Sequence, residues 1–245
     1  MWQGIKEMVL TDKIRENEEV ISFYFKSKDG SELVKHKPGQ FIAVDINVED
    51  EKYKNAKRTY SLSMKPNEET YRISVKRVEG GLISPYLHDS LEIGDTIKIP
   101  KPMGAFVLKE NSDKPLVLIS AGIGITPLIS MLYEAMNTTR KIIFVQAVNN
   151  SSVQTFAKEL KDIEDKCSDM KSIVFYSSPL EHDIQGKDYD HEGRISSHWI
   201  SKNLPMDGEF YFCGPPPFMD IINESLLELG VTKENINFEF FGPRK

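Results

Sequence analysis

Leu116-Val117-Leu118-Ile119 runs on through Ser120 into Ala121-Gly122-Ile123-Gly124-Ile125-Thr126-Pro127. Four apolar residues in a row suit a strand buried on both faces, the mark of a parallel sheet, and the spacing from Leu128 to Met136 predicts a helix. A buried strand that turns through two glycines into a helix opens a βαβ unit. The alternation continues downstream with strands at Lys141 to Val148, Ser172 to Tyr176, Phe210 to Cys213 and Ile236 to Phe240, and helices at Val153 to Lys166 and Met219 to Leu229. An open parallel α/β sheet is therefore expected over 111–245.

Upstream the rhythm differs. Val20 to Phe25, Phe41 to Ile46, Tyr60 to Met64 and Tyr71 to Lys76 are short runs rich in β-branched and aromatic residues, separated by turn signals such as Lys28-Asp29-Gly30. Strands at this spacing predict an antiparallel β-barrel over 1–110. The change of rhythm falls near Leu108 to Pro115. Two domains also suit a chain of 245 residues.

Bulk composition narrows the function classes. The 31 basic residues are outnumbered by 37 acidic ones, a formal charge of -6, so no broad cationic field exists to hold nucleic acid or anionic lipid. Two cysteines, Cys167 and Cys213, are too few for a disulfide scaffold, a zinc site or a four-thiolate iron–sulfur cluster. His36, His182, His191 and His198 have no metal-ligand spacing, so no metal is expected. Neither a secretory leader nor an apolar run long enough to span a bilayer is expected, and a cytoplasmic setting follows.

Three segments carry chemistry. At Gly122 and Gly124 the backbone can approach a ligand closely, Thr126 is expected to cap the helix and Pro127 to lie in its first turn, and the free amides favour a pyrophosphate. The same turn also serves a strand-to-helix junction that binds nothing. Arg58-Thr59-Tyr60-Ser61 offers a guanidinium fork for phosphate and a flat ring for a planar cofactor, although an Arg and a Tyr on a strand face are common. Gly80-Gly81-Leu82-Ile83-Ser84 precedes a second helical pattern and is either another anion-binding helix start or a plain loop. Two pyrophosphate-type junctions in one chain, with a tyrosine-bearing strand beside the first, point to two nucleotides.

A fourth segment, Tyr211-Phe212-Cys213-Gly214-Pro215-Pro216-Pro217-Phe218-Met219, joins these three, together with the ending Phe238-Glu239-Phe240-Phe241-Gly242-Pro243. In order and spacing all five resemble the ferredoxin-NADP reductase superfamily, and most closely the reductase portion of flavohaemoglobins, over essentially the whole chain. The resemblance implies an FAD-binding barrel followed by a nicotinamide-binding α/β domain. It implies that Arg58 binds FAD phosphates, Tyr60 contacts the isoalloxazine, Ser61 hydrogen-bonds near flavin N5, and Gly81, Leu82, Ile83 and Ser84 hold the pyrophosphate. It further implies that Gly122, Gly124 and Thr126 receive NAD(P)H, that Cys213, Gly214 and Pro215 line the nicotinamide position, and that Glu239 and Phe241 close the flavin's other side. Pro216-Pro217 stands where relatives often carry less rigid residues.

The implied activity is hydride transfer from NAD(P)H to FAD, which requires no acid, base or nucleophile of the protein. The alternative is an electron-transfer subunit or a nucleotide-binding sensor with little turnover of its own. Fifty-seven residues precede Arg58 and all read as barrel, so no globin is expected upstream. Electrons would then pass to a separate acceptor: a ferredoxin, a flavodoxin, a separate globin or other haem protein, or a small acceptor such as a free flavin or quinone. Lys52, Lys54, Lys57 and Lys65 could dock an acidic carrier. Asn149 and Asn150 follow Val148 where an acidic residue or an arginine would select the nucleotide, which leaves NADH against NADPH open.

Overall fold

A computed structural model of the protein describes residues 2, 4–46, 50–53 and 56–241. Lys54, Gly242 and Pro243 lie outside the described residues. The chain divides into two compact units, one of residues up to Leu108 together with Ile129–Met131 and the other of the residues from Lys109 apart from those three.

The first unit is an antiparallel sheet of six strands: β1 (Lys6–Arg15), β2 (Val20–Ser27), β3 (Phe41–Ile46), β4 (Lys57–Ser61), β5 (Tyr71–Lys76) and, after helix α1 (Ile83–Asp89), β6 (Thr96–Ile99). Their order is β4-β3-β6-β1-β2-β5. The two outer strands meet just beyond β4, where Leu62 bridges Ile73 and the Ser63 amide donates to the Arg72 carbonyl at 2.9 Å, so the sheet closes as a barrel. Buried hydroxyls strengthen the closure: Ser63 and Ser22 both lie within 2.8 Å of the Ser74 Oγ, and the Arg72 guanidinium donates to the Ser63 carbonyl.

Strand β1 was not among the strands expected. Its Met8 and Leu10 are buried, while Lys6, Glu7, Asp12 and Lys13 on either side of them dilute the hydrophobic signal. Strand β4 begins at Lys57 rather than at Tyr60, because Lys57, Arg58 and Thr59 pair in register with Asp45, Val44 and Ala43 of β3 although all three are exposed. Helix α1 buries Ile83 and Leu87 against the barrel core. Its last carbonyls are met by the Lys13 ammonium, which donates to His88 O at 2.8 Å and to Leu91 O at 2.9 Å and favours the negative end of the helix dipole.

The second unit is a parallel sheet in the order β10-β9-β8-β7-β11-β12. Its strands are β7 (Leu116–Ala121), β8 (Ile142–Val148), β9 (Met170–Tyr176), β10 (His191–Glu192), β11 (Glu209–Gly214) and β12 (Ile236–Phe240). The connecting helices are α2 (Ile125–Ala135), α3 (Ala157–Glu164), α4 (Ser197–Asn203) and α5 (Pro216–Glu228). Every residue of β7 and β11 is buried, as expected for central strands of a sheet covered on both faces. At the amino edge, where β8 and β11 begin, Arg140 donates to Glu209 and to the Lys114 carbonyl, each at 2.7 Å, in a buried ion pair.

Helix α2 begins at Ile125, three residues before the expected Leu128, because a short 3-10 turn at Gly122–Gly124 feeds directly into it. Helix α3 is shorter than expected. The backbone turns left-handed at Phe156, φ 60°, so the helix cannot start before Ala157.

Candidate functional site

In the barrel, β4 carries Arg58, Tyr60 and Ser61 in succession. The Arg58 side chain is exposed and its Nη1 donates to the neighbouring Lys57 carbonyl, at 2.8 Å. Tyr60 is half-buried, and loss of solvent pushes its hydroxyl well above the usual phenol range, so it stays protonated at neutral pH. Ser61 is 5% exposed and its Oγ has no hydrogen-bond partner among the described residues. A buried hydroxyl without a partner costs about 1–3 kcal/mol. A polar ligand atom at this position would relieve that cost, so the strand fits a heteroaromatic group with hydrogen-bonding nitrogens.

At the start of α1, Gly81 donates its amide to Val78 O at 3.0 Å, and Leu82 precedes the helix without any side-chain cap. The amides of the first helical turn therefore lack intrahelical partners. The buried Ser84 hydroxyl accepts from the Val78 amide at 3.1 Å, so its first bond folds the loop. Its proton and second lone pair are still available for a ligand.

In the parallel unit the carboxyl ends of β7 and β11 are adjacent, and the chain crosses to opposite sides of β7 when it builds β8 and β11. That is the switch point where open α/β sheets bind ligands. Gly122 adopts φ +52°, which glycine tolerates, and leaves open space where a side chain would otherwise stand. Gly124 serves a different end: a Cβ there would lie 2.1 Å from the Cys213 carbonyl oxygen, so only glycine lets the turn lie against the end of β11. Thr126 does not cap α2. It is the second residue of the helix, and its Oγ1 donates back to Ile123 O at 3.0 Å, so the first amides of α2 receive no side-chain cap.

The end of β11 has a different chemistry. Pro215 precedes α5, and Pro216 and Pro217 occupy its first positions, so the opening turn has few amides to offer an anion. Cys213 is fully buried, and desolvation pushes its thiol far above the usual range. It remains a neutral, small wall and not a thiolate nucleophile. Across the ladder Cys213 pairs with Glu239, whose half-buried carboxyl is raised by the same loss of solvent. Phe241 follows β12 and is 36% exposed, while Phe238 stacks on Phe212 at 5.1 Å.

Sequence reading missed one group. No acidic residue follows Val148, yet the Asp183 carboxylate from the loop after β9 reaches that point, its Oδ2 accepting from the Leu180 amide at 2.9 Å and the Ser151 amide at 3.4 Å. Thirty-two positions separate Asp183 from Ser151, and only the pairing of β8 with β9 brings them together.

Comparison with known proteins agrees with this arrangement. Residues 7–108 match the oxidoreductase FAD-binding domain and residues 118–224 match the oxidoreductase NAD-binding domain. The flavohaemoprotein of Bacillus thuringiensis is 40% identical across 99% of the chain, and that of Bacillus subtilis is 39% identical across 99%. The chain spans 62% and 61% of the length of these two relatives. The crystal structure of the flavohaem-like FAD/NAD-binding domain of nitric oxide dioxygenase from Vibrio cholerae superposes with a TM-score of 0.87, at 34% identity, covering 97% of this chain and 99% of that one. The ferredoxin reductase of a carbazole dioxygenase, at 19% identity and TM-score 0.83, shares the fold. Barrel, parallel sheet and matching domains together make this chain a member of the FAD- and NAD-binding oxidoreductases of the ferredoxin-NADP reductase superfamily, in its flavohaemoprotein-like branch.

Proposed function

We propose that the chain works as a reductase that takes a hydride from NAD(P)H onto FAD and delivers the electrons to a separate protein acceptor, in a cytoplasmic setting. The observation that carries this reading is the orphaned Ser61 Oγ, buried at the end of a strand that also carries the half-buried Tyr60 and whose first three residues are exposed. When bound, FAD supplies the two-electron chemistry, and the protein supplies binding, orientation and electrostatics.

Each residue then has a limited task. Ser61 donates to a ring nitrogen of the flavin and fixes its register along β4. The protonated Tyr60 lies against the flavin without adding charge, and the exposed Arg58 meets a phosphate through its guanidinium fork. The first-turn amides at Leu82, Ile83 and Ser84 hold the pyrophosphate, with Gly81 allowing close approach. In the second unit the Gly122 to Thr126 turn receives the dinucleotide phosphates. Cys213, Gly214 and Pro215 offer the nicotinamide an uncharged wall. Glu239 flanks that wall, and the partly exposed Phe241 follows it just beyond β12.

No proton transfer by the protein is needed for the hydride step, and desolvation keeps both the Tyr60 phenol of the first unit and the Cys213 thiol of the second neutral. Lys52, Lys57 and Lys65 are exposed and suit an acidic carrier. Among the described residues no helix is long and apolar enough to cross a membrane. The test is anaerobic titration of the purified protein: a yellow preparation bleached by one equivalent of NADH or NADPH supports the reading, and a preparation that takes up FAD but stays yellow with both sinks it.

A further inference from the structure

A cation lies buried next to the chain that carries Ser61. Arg72 of β5 is 5% exposed; its guanidinium donates to the Ser63 carbonyl, and its Nε donates to Ser63 Oγ at 3.2 Å. Its charge also stands over the Tyr24 ring, 6.0 Å from the ring centre. Leu62, Ile73 and Phe23 belong to the apolar core of the barrel, whereas Ser61, Ser63, Arg72, Ser74 and Ser22 do not. By the alternation of extended chain, these polar residues line the opposite face. Ser61 and Ser63 thus point to one side, roughly 7 Å apart along the chain. The guanidinium held on Ser63 lies on the order of 10 Å from the orphaned Ser61 Oγ.

Closure of the barrel does not need this charge. Leu62 bridges Ile73, and the Ser63 amide donates to the Arg72 carbonyl at 2.9 Å, a bond any residue at 72 would make. The Ser74 hydroxyl lies 2.7 Å from that of Ser22 and 2.8 Å from that of Ser63. A dry cation is expensive to hold, and apolar side chains in such places often leave a fold as stable or more so. What a fixed positive charge adds is a field that reaches a ligand. A hydride carries two electrons and one proton, so the ring that accepts it gains one unit of negative charge. A buried cation on the order of 10 Å away favours that charged product, because the interior screens far less than water.

We infer that Arg72 tunes the flavin site: its charge, pinned in place by the two oxygens of Ser63, makes the flavin bound along β4 easier to reduce. Nothing in the reduction passes through its own atoms. This rests on the flavin reading above, and the experiment separates the two.

The potential of the flavin bound to the full chain, set with dithionite against a reference dye, reads the effect without nicotinamide or turnover. In Arg72→Met the ratio of reduced to oxidised flavin at a fixed potential should fall at least tenfold, a drop of about 30 mV for a two-electron couple. Arg72→Lys, which keeps the charge without the fork, should stay within threefold of the wild type. A Met variant that binds FAD at the wild-type potential, or a Lys variant that falls as far as the Met variant, would overturn the proposal. Should Arg72→Met not fold, Arg72→Gln is read in its place, and loss of folding in both would overturn it in favour of a plain structural latch. A wild-type flavin that dithionite reduces but neither NADH nor NADPH bleaches would sink the reductase reading and leave this one standing.

Discussion

The Cys213 carbonyl oxygen lies where a side chain on Gly124 would have to begin, 2.1 Å from the ideal Cβ position. The two residues belong to different strand ends and are 89 positions apart, so the glycine turn is shaped by β11 as much as by its own helix. Gly124→Ala must push backbone against backbone, and should destabilise the chain by roughly 2 kcal/mol. The same shift should raise the KM for reduced nicotinamide at least tenfold. Thermal unfolding and steady-state kinetics on one preparation check both effects.

Ser61→Ala separates folding from function. Removing an unsatisfied buried hydroxyl should stabilise the FAD-free chain by about 1 kcal/mol. FAD affinity and the rate of flavin reduction should both fall several-fold. An apoprotein that loses stability on this change would mean that the hydroxyl has a partner inside the fold.

The ion pair of Arg140 and Glu209, with side chains 4% and 6% exposed, tests the amino edge of the parallel sheet. Truncating one partner leaves a buried charge, so Arg140→Met should cost on the order of 3–5 kcal/mol. Replacing both with apolar residues should recover most of it. Chemical denaturation of the single and double variants gives the comparison, and flavin binding to the barrel should be unaffected.

His36 makes stability depend on pH. Burial lowers its pKa from 6.5 to about 4, so between those values the unfolded chain takes up a proton that the folded chain refuses. Stability is therefore fully present above pH 6.5 and falls as the pH drops toward 4, by on the order of 3 kcal/mol if this group acts alone. In His36→Phe, with the ring still edge-on to Tyr71, that slope should flatten. Urea midpoints at pH 7, 5.5 and 4.5 measure it.

Much of this was legible in order and spacing, and the exceptions share a cause. Leu116 to Ala121 are buried throughout, and Ile236, Phe238 and Phe240 are half-buried against the same core, so apolar runs and turn residues marked both strands. β1 was hidden because charged residues surround its two buried apolar ones, and α4 because its seven residues include only one that is buried, Ile200. Thr126 read as a cap from its place after two glycines, but the 3-10 turn moves the helix start ahead of it. Asp183 gave no local signal, since its meaning depends on a strand pairing that no window of sequence contains. Likewise, the resemblance suggested a task for Ser61, but only its lack of a partner supplies a physical reason for it.

The three prolines that open α5 bear on inhibition as well as on shape. A helix start stripped of donors cannot retain stray oxyanions, so the uncapped amides that follow the glycine turn after β7 offer buffer phosphate or sulfate a better foothold than the start of α5. Crowding by such salts should thus compete with the tail of the coenzyme and leave its redox-active ring unopposed.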